Sequence, residues 1–219
     1  INALNAASLA LMAIHANRET FRDDDSIRVH PIITKGGEAV SAVPADVRME
    51  TFVRGKSISA IKDANTKVDR ALRAGAMAVG AKVRITTIPG YLPIRQDQQL
   101  NDLYRANAAS LVGEDKVGLT GHRTGSTDMG DLSHIMPVIH PYVSGATGVG
   151  HGKDYVIEDY SLTVVTAAKA LTTTVIDLLA DGARIAGNVR SSHDPAMTRN
   201  EYLDFMRKQA KDELFDPED

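Results

Sequence analysis

Cysteine is absent from the 219-residue chain, and its absence excludes disulfides, thiolate metal ligands and a cysteine nucleophile. The chain has no long basic block, and its formal net charge is −3. Because nucleic-acid binding needs a concentrated positive face, we expect no nucleic-acid partner. No uninterrupted apolar run reaches the roughly 20 residues that span a bilayer, and no signal peptide is recognisable, so we expect no membrane partner and a cytoplasmic location.

The remaining composition is ordinary for a globular protein. Hydrophobic residues make up 43% of the chain and charged residues 24%. These values and the length predict one or two domains with a core of normal size. The chain starts with Ile1 and runs directly into a helix-like segment, whereas natural chains begin with methionine, so we expect a piece of a longer protein.

Residues 1–93 have the pattern helix, strand, strand, helix, strand. An alanine-rich helix over about 2–19 precedes "IRVHPIITKGG", and the period-2 pattern of "VPADVRMETFVRG" indicates a second strand of a hairpin. Ser57 caps a second helix that ends at Gly80, and "KVRITTI" is the third strand. The sequence therefore predicts an antiparallel sheet covered on one face by two helices.

The second part, residues 94–219, changes character after "PGYLP". An amphipathic helix over about 97–112 is followed by loops around one short buried strand near Met136 to Val143. A helix over about 157–179 and a terminal amphipathic helix that begins near Thr198, with an acidic end, complete the prediction.

The loop-rich stretch from 121 to 155 is the candidate site, since four of the seven histidines lie in it. Imidazoles beside carboxylates suit zinc or manganese, yet no local spacing supplies the three ligands of a catalytic zinc. A serine nucleophile in "HRTGSTDMGD" and a phosphate cradle in "GATGVG" are weaker alternatives. His151 lies among Gly145, Gly148, Gly150 and Gly152; this pattern fits either a turn with an exposed histidine or a loop that comes close to a ligand.

Four segments carry a family resemblance: "INALNAASLALMAI", "RVHPIITKGGEAVSAVPADVRMETFVRG", "GSTDMGDLSHIMPVIHPY" and "GHGKDY". Together they resemble the C-terminal half of a zinc-dependent amidohydrolase and peptidase superfamily that includes aminoacylases, carnosinases and glutamate carboxypeptidases. Within it, the chain is most similar to the aminobenzoyl-glutamate hydrolases. The likeness extends over nearly the whole chain.

The resemblance implies an α/β enzyme of two domains. Residues 1–93 would be a ferredoxin-like lid and dimerisation domain without its first strand. Residues 94–219 would be the C-terminal part of the α/β metallopeptidase catalytic domain, which binds zinc or manganese. The expected partners are a small acidic amide substrate, a second copy joined through the lid to form a homodimer and, as an alternative, a different polypeptide of the same enzyme.

The resemblance also implies roles for individual residues. His151 matches the last metal-ligand histidine, and His30 matches the lid histidine that polarises the scissile carbonyl. Arg123, Ser126 and Thr127 lie where substrate-facing loops are expected, and an arginine there can grip a carboxylate by paired hydrogen bonds. His30 would otherwise be a half-buried histidine of a sheet.

Two departures from the family pattern affect the interpretation. Ser41 stands where many relatives carry asparagine, which leaves the substrate open. The family's His-x-Asp motif, bridging carboxylate and glutamate base precede the lid and are not in this sequence, so we expect the chain alone to be inactive. Two alternatives remain: a non-catalytic dimerisation or binding fragment, and an unrelated α+β binding protein without metal dependence.

Overall fold

A computed structural model describes residues 1–219 as a mixed α/β protein with six α-helices and small antiparallel sheets. The helices are α1 (Ala3–Ala16), α2 (Ile58–Met77), α3 (Gln98–Val112), α4 (Met129–Leu132), α5 (Ala167–Ser192) and α6 (Arg199–Gln209). The strands are β1 (Arg28–Val29), β2 (Ile32–Lys35), β3 (Arg48–Glu50), β4 (Val53–Arg54), β5 (Val83–Thr87), β6 (Ala146–Thr147), β7 (Val156–Ile157) and β8 (Lys211–Phe215).

The chain forms two compact units. The first unit consists of residues 1–93, 122–127 and 200–219, and the second consists of 94–121 and 128–199. The predicted first domain ends at residue 93 and does not include 122–127 or 200–219. The first unit is therefore assembled from three separate pieces of chain.

Two helices, α1 and α2, pack closely in the first unit. Ile14 of α1, Val68 and Ala71 of α2 and Val29 of β1 form a buried cluster. Asn2 caps α1 by accepting a hydrogen bond from the Leu4 amide, and the Ser57 hydroxyl accepts one from the amide of Ala60 at the start of α2. The prediction of a Ser57-capped helix is confirmed, because its cap and its apolar period are both local signals.

The predicted hairpin is confirmed. β2 pairs with β3 and β1 with β4, both antiparallel, with Val29 opposite Val53 and Ile32 opposite Glu50. The pairing is interrupted at residues 30 and 31, between β1 and β2. A proline has no N–H to give to a ladder, which accounts for a break at Pro31.

The third predicted strand is also confirmed, but its partner was not foreseen. β5 pairs antiparallel with β8, and Ile85 lies opposite Glu213. The sequence predicts only a terminal helix with an acidic end; α6 ends at Gln209 and the chain continues as a strand. Opposite charges support the pairing, since Arg84 and Asp212 lie 2.9 Å apart.

The second unit is organised around α3 and α5. Asp97 caps α3 by accepting from the Leu100 amide, and the Asn107 side chain donates to the carboxylate of Asp177 on α5 at 2.7 Å. The predicted helix over about 157–179 is confirmed apart from its start, because residues 156 and 157 belong to β7 and a π-helical turn over 161–166 leads into α5. Residues 180–183 interrupt α5 with non-helical backbone.

The predicted strand from Met136 to Val143 is wrong. These residues pair with no strand, and Val138 is the one buried residue among them. Pro137 and Pro141 remove two backbone donors, and the amide of His140 bonds to the side chain of Gln96 instead.

By its length and composition alone, the segment Ser161–Ser192 is apolar enough to cross a membrane. A single segment of this kind is weak evidence that a chain spans a membrane. Its apolar side chains include large residues at least half exposed in this structure: Val175, Ile176 and Leu179. The break at residues 180–183 divides the segment.

Candidate functional site

His151 lies at the tip of a short hairpin in the second unit. β6 and β7 pair antiparallel, with Ala146 opposite Ile157 and Thr147 opposite Val156. The Gly145 carbonyl accepts from the amides of Glu158 and Asp159 at 2.9 and 3.0 Å, which closes the base of the hairpin. The loop between the strands projects an exposed imidazole at residue 151.

The glycines of this loop are required by its backbone. Gly148 has a φ of 86°, and a Cβ there would collide with the carbonyl of Asp154. Gly145 has a φ of 106°, and its Cβ would collide with the hydroxyl of Thr163. A loop this tight can form only where these positions have no side chain.

The backbone of His151 is itself unusual, with a φ of 66°. Left-handed backbone is uncommon for a residue with a Cβ, and such outliers cluster at functional sites. The sequence left two interpretations of this loop: a turn with an exposed histidine, or a loop that comes close to a ligand. The two are compatible, because the turn holds the exposed ring of His151 where a ligand can reach it.

His30 lies in the first unit, in the break between β1 and β2, and is exposed. It is therefore not the half-buried sheet histidine that a strand position would predict. The flanking pairs Val29–Val53 and Ile32–Glu50 fix the backbone on both sides of it.

A pocket in the first unit is formed partly by the loop at 122–127. This pocket is a shallow depression that is open to solvent. It is lined by Val53, Arg54, Gly55, Ile61, Tyr91, Pro93, His122, Thr124, Gly125 and Ser126. Of the predicted substrate-binding residues, Ser126 lines the pocket, while Arg123, which is exposed, and Thr127, which is half-buried, do not.

Electrostatics in the pocket favour negative charge. Partial burial lowers the pKa of His122 below its usual 6.5, and the nearby positive charge of Lys56 lowers it further. Arg54 contributes a second cation, whose guanidinium carbon lies 5.0 Å from the centre of the Phe52 ring. Sequence reasoning missed Arg54 and Lys56, since no local signal brings the end of β4 next to the loop at 122–127.

Three of the other histidines have packing roles. His134 is 3% exposed at the end of α4, and the His140 ring lies edge-on to Tyr142 with centroids 5.1 Å apart. His193 was not singled out by the sequence; its Nδ1 lies 3.5 Å from Oδ2 of Asp97, the residue that caps α3. This pair joins the end of α5 to the start of α3.

A metal ion needs more donors than this chain brings together. No group of three histidine, aspartate or glutamate side chains is placed to hold an ion. A catalytic zinc takes about three protein ligands. His151 has the right donor chemistry and exposure for one of them, so the residues present fit one corner of a metal site and not a complete one.

Two known proteins with the same description are similar in sequence to this chain. The mouse protein described as "Xaa-Arg dipeptidase" is 30% identical over 197 residues, which cover 85% of this chain and 45% of the mouse protein. The human protein of the same description is 29% identical over 189 residues, covering 82% of this chain and 42% of that protein. No family model matches the chain.

The chain thus spans less than half the length of these relatives. Similarity to aminobenzoyl-glutamate hydrolase in particular does not emerge from these matches. Dipeptidases hydrolyse an amide bond, and the similarity over most of this chain supports its placement in the amidohydrolase and peptidase superfamily.

Proposed function

We propose that the chain is the C-terminal part of a metal-dependent amidohydrolase that cleaves the amide bond of a small substrate in the cytoplasm. The observation that carries the proposal is the hairpin that holds His151 exposed in left-handed backbone. By its resemblance to the family, its position in "GHGKDY" matches the last metal ligand, and the similarity to two dipeptidases agrees with amide-bond hydrolysis.

In this proposal, residues 1–93 act as the ferredoxin-like lid and dimerisation domain, and 94–219 as the C-terminal part of the catalytic domain. The hairpin, the two packed helices and β5 supply most of the strands and helices of such a lid, and its first strand would come from chain outside this sequence. The remaining length of the relatives is the proposed source of the other metal ligands and of the glutamate base.

Each predicted residue then has a stated task. His151 ligates a zinc or manganese ion, which supplies Lewis-acid polarisation and a water of lowered pKa. His30 donates a hydrogen bond to the oxygen that becomes negative as the carbonyl is attacked. Arg123, Ser126 and Thr127 hold the acidic end of the substrate. A single ligand cannot retain a catalytic ion, so the chain alone is inactive.

The substrate class is proposed as aminoacyl- or aminobenzoyl-glutamate, with an acidic end. The competing class follows from the relatives, whose description names a basic arginine residue. A direct comparison of aminobenzoyl-glutamate with an alanyl-arginine dipeptide separates the two classes.

The test uses the intact gene product. His151→Ala should abolish hydrolysis and lower the bound metal measured by elemental analysis, whereas His15→Ala, an exposed histidine on α1, should change neither. His30→Ala should reduce turnover and leave bound metal unchanged. Full turnover and full metal content in His151→Ala would refute the ligand role, and loss of metal in His30→Ala would refute the carbonyl role.

A second function is favoured by the lack of a three-ligand group in this chain, namely a non-catalytic fragment that dimerises. Short two-stranded ladders leave unpaired strand edges that a second copy can cover. Light scattering of the 219-residue chain should then give twice the chain mass of 23.5 kDa. A monomer at high concentration excludes this function and removes the dimerisation role of residues 1–93 from the first proposal, while the hydrolase part of that proposal is unaffected.

A further inference from the structure

Residues 200–219, the C-terminal segment, leave the unit that precedes them in sequence. Residues 128–199 belong to the second unit, whereas 200–219 belong to the first. Residues 193–198, which connect α5 to α6, form neither helix nor strand. The C-terminal segment, which contains nearly all of α6 and the whole of β8, therefore reaches the first unit through one irregular connection.

Backbone pairing holds β8 within the first unit. All five residues of β8 have a partner in β5, from Val83 opposite Phe215 to Thr87 opposite Lys211. Four of the five are exposed, and neither α6 nor β8 contains a buried residue. Because the C-terminal segment contributes little to the hydrophobic core, its release exposes less apolar surface than the release of α1 or α2 would.

Opposite charges add to this pairing. Each of three cations on or beside β5 faces a carboxylate on or beside β8: Arg73 faces Glu213, Arg84 faces Asp212 and Lys82 faces Asp216. The Arg73 pair is bidentate, with two hydrogen bonds of 2.8 Å. The edge of β5 that meets β8, with these three cations, is called the basic edge below. It recognises an extended strand whose carboxylates have matching positions.

A second copy of the chain contains the same acidic strand. The backbone pairs and ion pairs of β8 all join the C-terminal segment to residues 73–87, so a segment from another copy restores each of them without any new contact. Exchange of an identical element between protomers costs little for this reason. Arg84 and Asp212 are 63% and 55% exposed, and an ion pair this exposed is weak, which favours release of the segment.

We propose that the basic edge is a docking site for an acidic strand and that two copies of this chain dimerise by exchanging their C-terminal segments across it. The connection at 193–198 is the hinge of the exchange. The inference does not rest on the hydrolase proposal, since it involves neither His151 nor a metal ion. It also differs from the covering of a free strand edge, because the β5–β8 ladder is kept and only the chain that supplies β8 changes.

Charge reversal in two separate chains tests the exchange. In Arg84→Asp the basic edge meets like charge from its own Asp212, and in Asp212→Arg the reversed strand meets its own Arg84. When the two variants are refolded together from urea, both repulsions disappear only in an exchanged dimer with one chain of each kind. Relief of two such contacts should raise the association constant measured by sedimentation about 2- to 30-fold above that of either variant alone.

A matched control replaces Arg84→Asp by Arg22→Asp, at an exposed arginine of the first unit. Refolded with Asp212→Arg, this variant should give no rise in association, because exchange then moves the remaining repulsion from one chain to the other without removing it.

The absence of cysteine allows a second test. Thr87 and Lys211 lie opposite each other in the β5–β8 pairing. With Thr87→Cys in one chain and Lys211→Cys in another, oxidation after joint refolding should give more disulfide-linked dimers than a mixture of Thr87→Cys with Arg22→Cys. Both substitutions in one chain should also form a crosslink within that chain, which checks the register.

Equal association in the charge-reversed mixture and its control would overturn the inference, and so would equal crosslinking in the two cysteine mixtures. A dimer without excess crosslinking between Thr87→Cys and Lys211→Cys would show that two copies join through another surface. If the charge-reversed variants fail to fold, or if the two tests disagree, the crosslink decides, because it reports which chain supplies β8. Neither test uses metal or catalysis, so the hydrolase proposal and this inference can fail independently.

Discussion

The close approach of α1 to Gly75 of α2 yields a sharp prediction. A Cβ at residue 75 would collide with the carbonyl of Ala6 and lie 2.6 Å from the Ala10 nitrogen and 2.8 Å from the Ala10 Cβ. The opposing atoms belong mostly to the backbone of α1, which cannot rotate away. The substitution Gly75→Ala therefore forces the two helices apart.

The expected size follows from two opposing effects. Alanine is favoured over glycine in a helix by about 1 kcal/mol. Separating α1 from α2 by roughly 0.5–1 Å loses a quarter to a half of the dispersion energy at their contact, and overpacking of this kind costs about 1–3 kcal/mol. Because backbone atoms oppose the new methyl group, we expect the upper part of that range and a net loss of about 1–2 kcal/mol. The melting temperature should fall by roughly 2–8 °C.

The chain offers a matched control at Gly187 of α5. A Cβ there meets nothing within 4 Å, and its φ is not positive. Gly187→Ala should therefore raise the free energy of unfolding by about 0.5–1 kcal/mol. Urea unfolding gives both values, and amide exchange in α1 and α2 should accelerate only in Gly75→Ala. If Gly75→Ala is as stable as the unchanged chain, the helices are not in the contact described and the reasoning fails.

Three further outcomes follow from the structure. Ala183 has a φ of 62°, and Ala183→Gly should raise the free energy of unfolding by up to about 1 kcal/mol in urea titrations, because glycine adopts left-handed backbone without strain; a loss of stability would contradict this. The pKa of His122 measured by NMR should lie below 6.5 and should move towards 6.5 in Lys56→Met. Because the unfolded chain binds this proton more readily than the folded chain, the contribution of His122 to stability should fall as the pH drops from 6.5 through the pKa of the folded state. A pKa above 6.5 would refute this prediction. Glu213→Gln breaks the paired hydrogen bonds with Arg73 at 2.8 Å and should cost up to about 1 kcal/mol while accelerating amide exchange in β8, with no change expected in α3.

The elements that could be predicted are those whose signals lie within a few residues. Ser57 marks the start of α2 and a 3.6-residue period marks its buried face, while β5 is a short β-branched run before a proline. β8 could not be found in this way, since "KDELF" becomes a strand through its pairing with a segment more than a hundred residues earlier. The apolar run near Val138 misled for the opposite reason, because two prolines remove donors that a strand would need.

The residues of the candidate site also divide into those with a local sequence signal and those without one. Ser126 and His151 stand in motifs that can be recognised in the sequence, and the glycines around His151 are explained by backbone that admits no side chain. Arg54 and His122 line the same pocket only because of the fold of the first unit, so no spacing in the sequence indicates that they are neighbours. Sequence patterns therefore indicated the class of chemistry and missed the pocket's charge.

The first unit contains residues 200–219 together with residues 1–93. A protease cut near residue 210 would therefore affect β5, far away in sequence, by leaving that strand with a bare edge. Because its three pieces are separated in sequence, the unit cannot be excised as one uninterrupted stretch of gene.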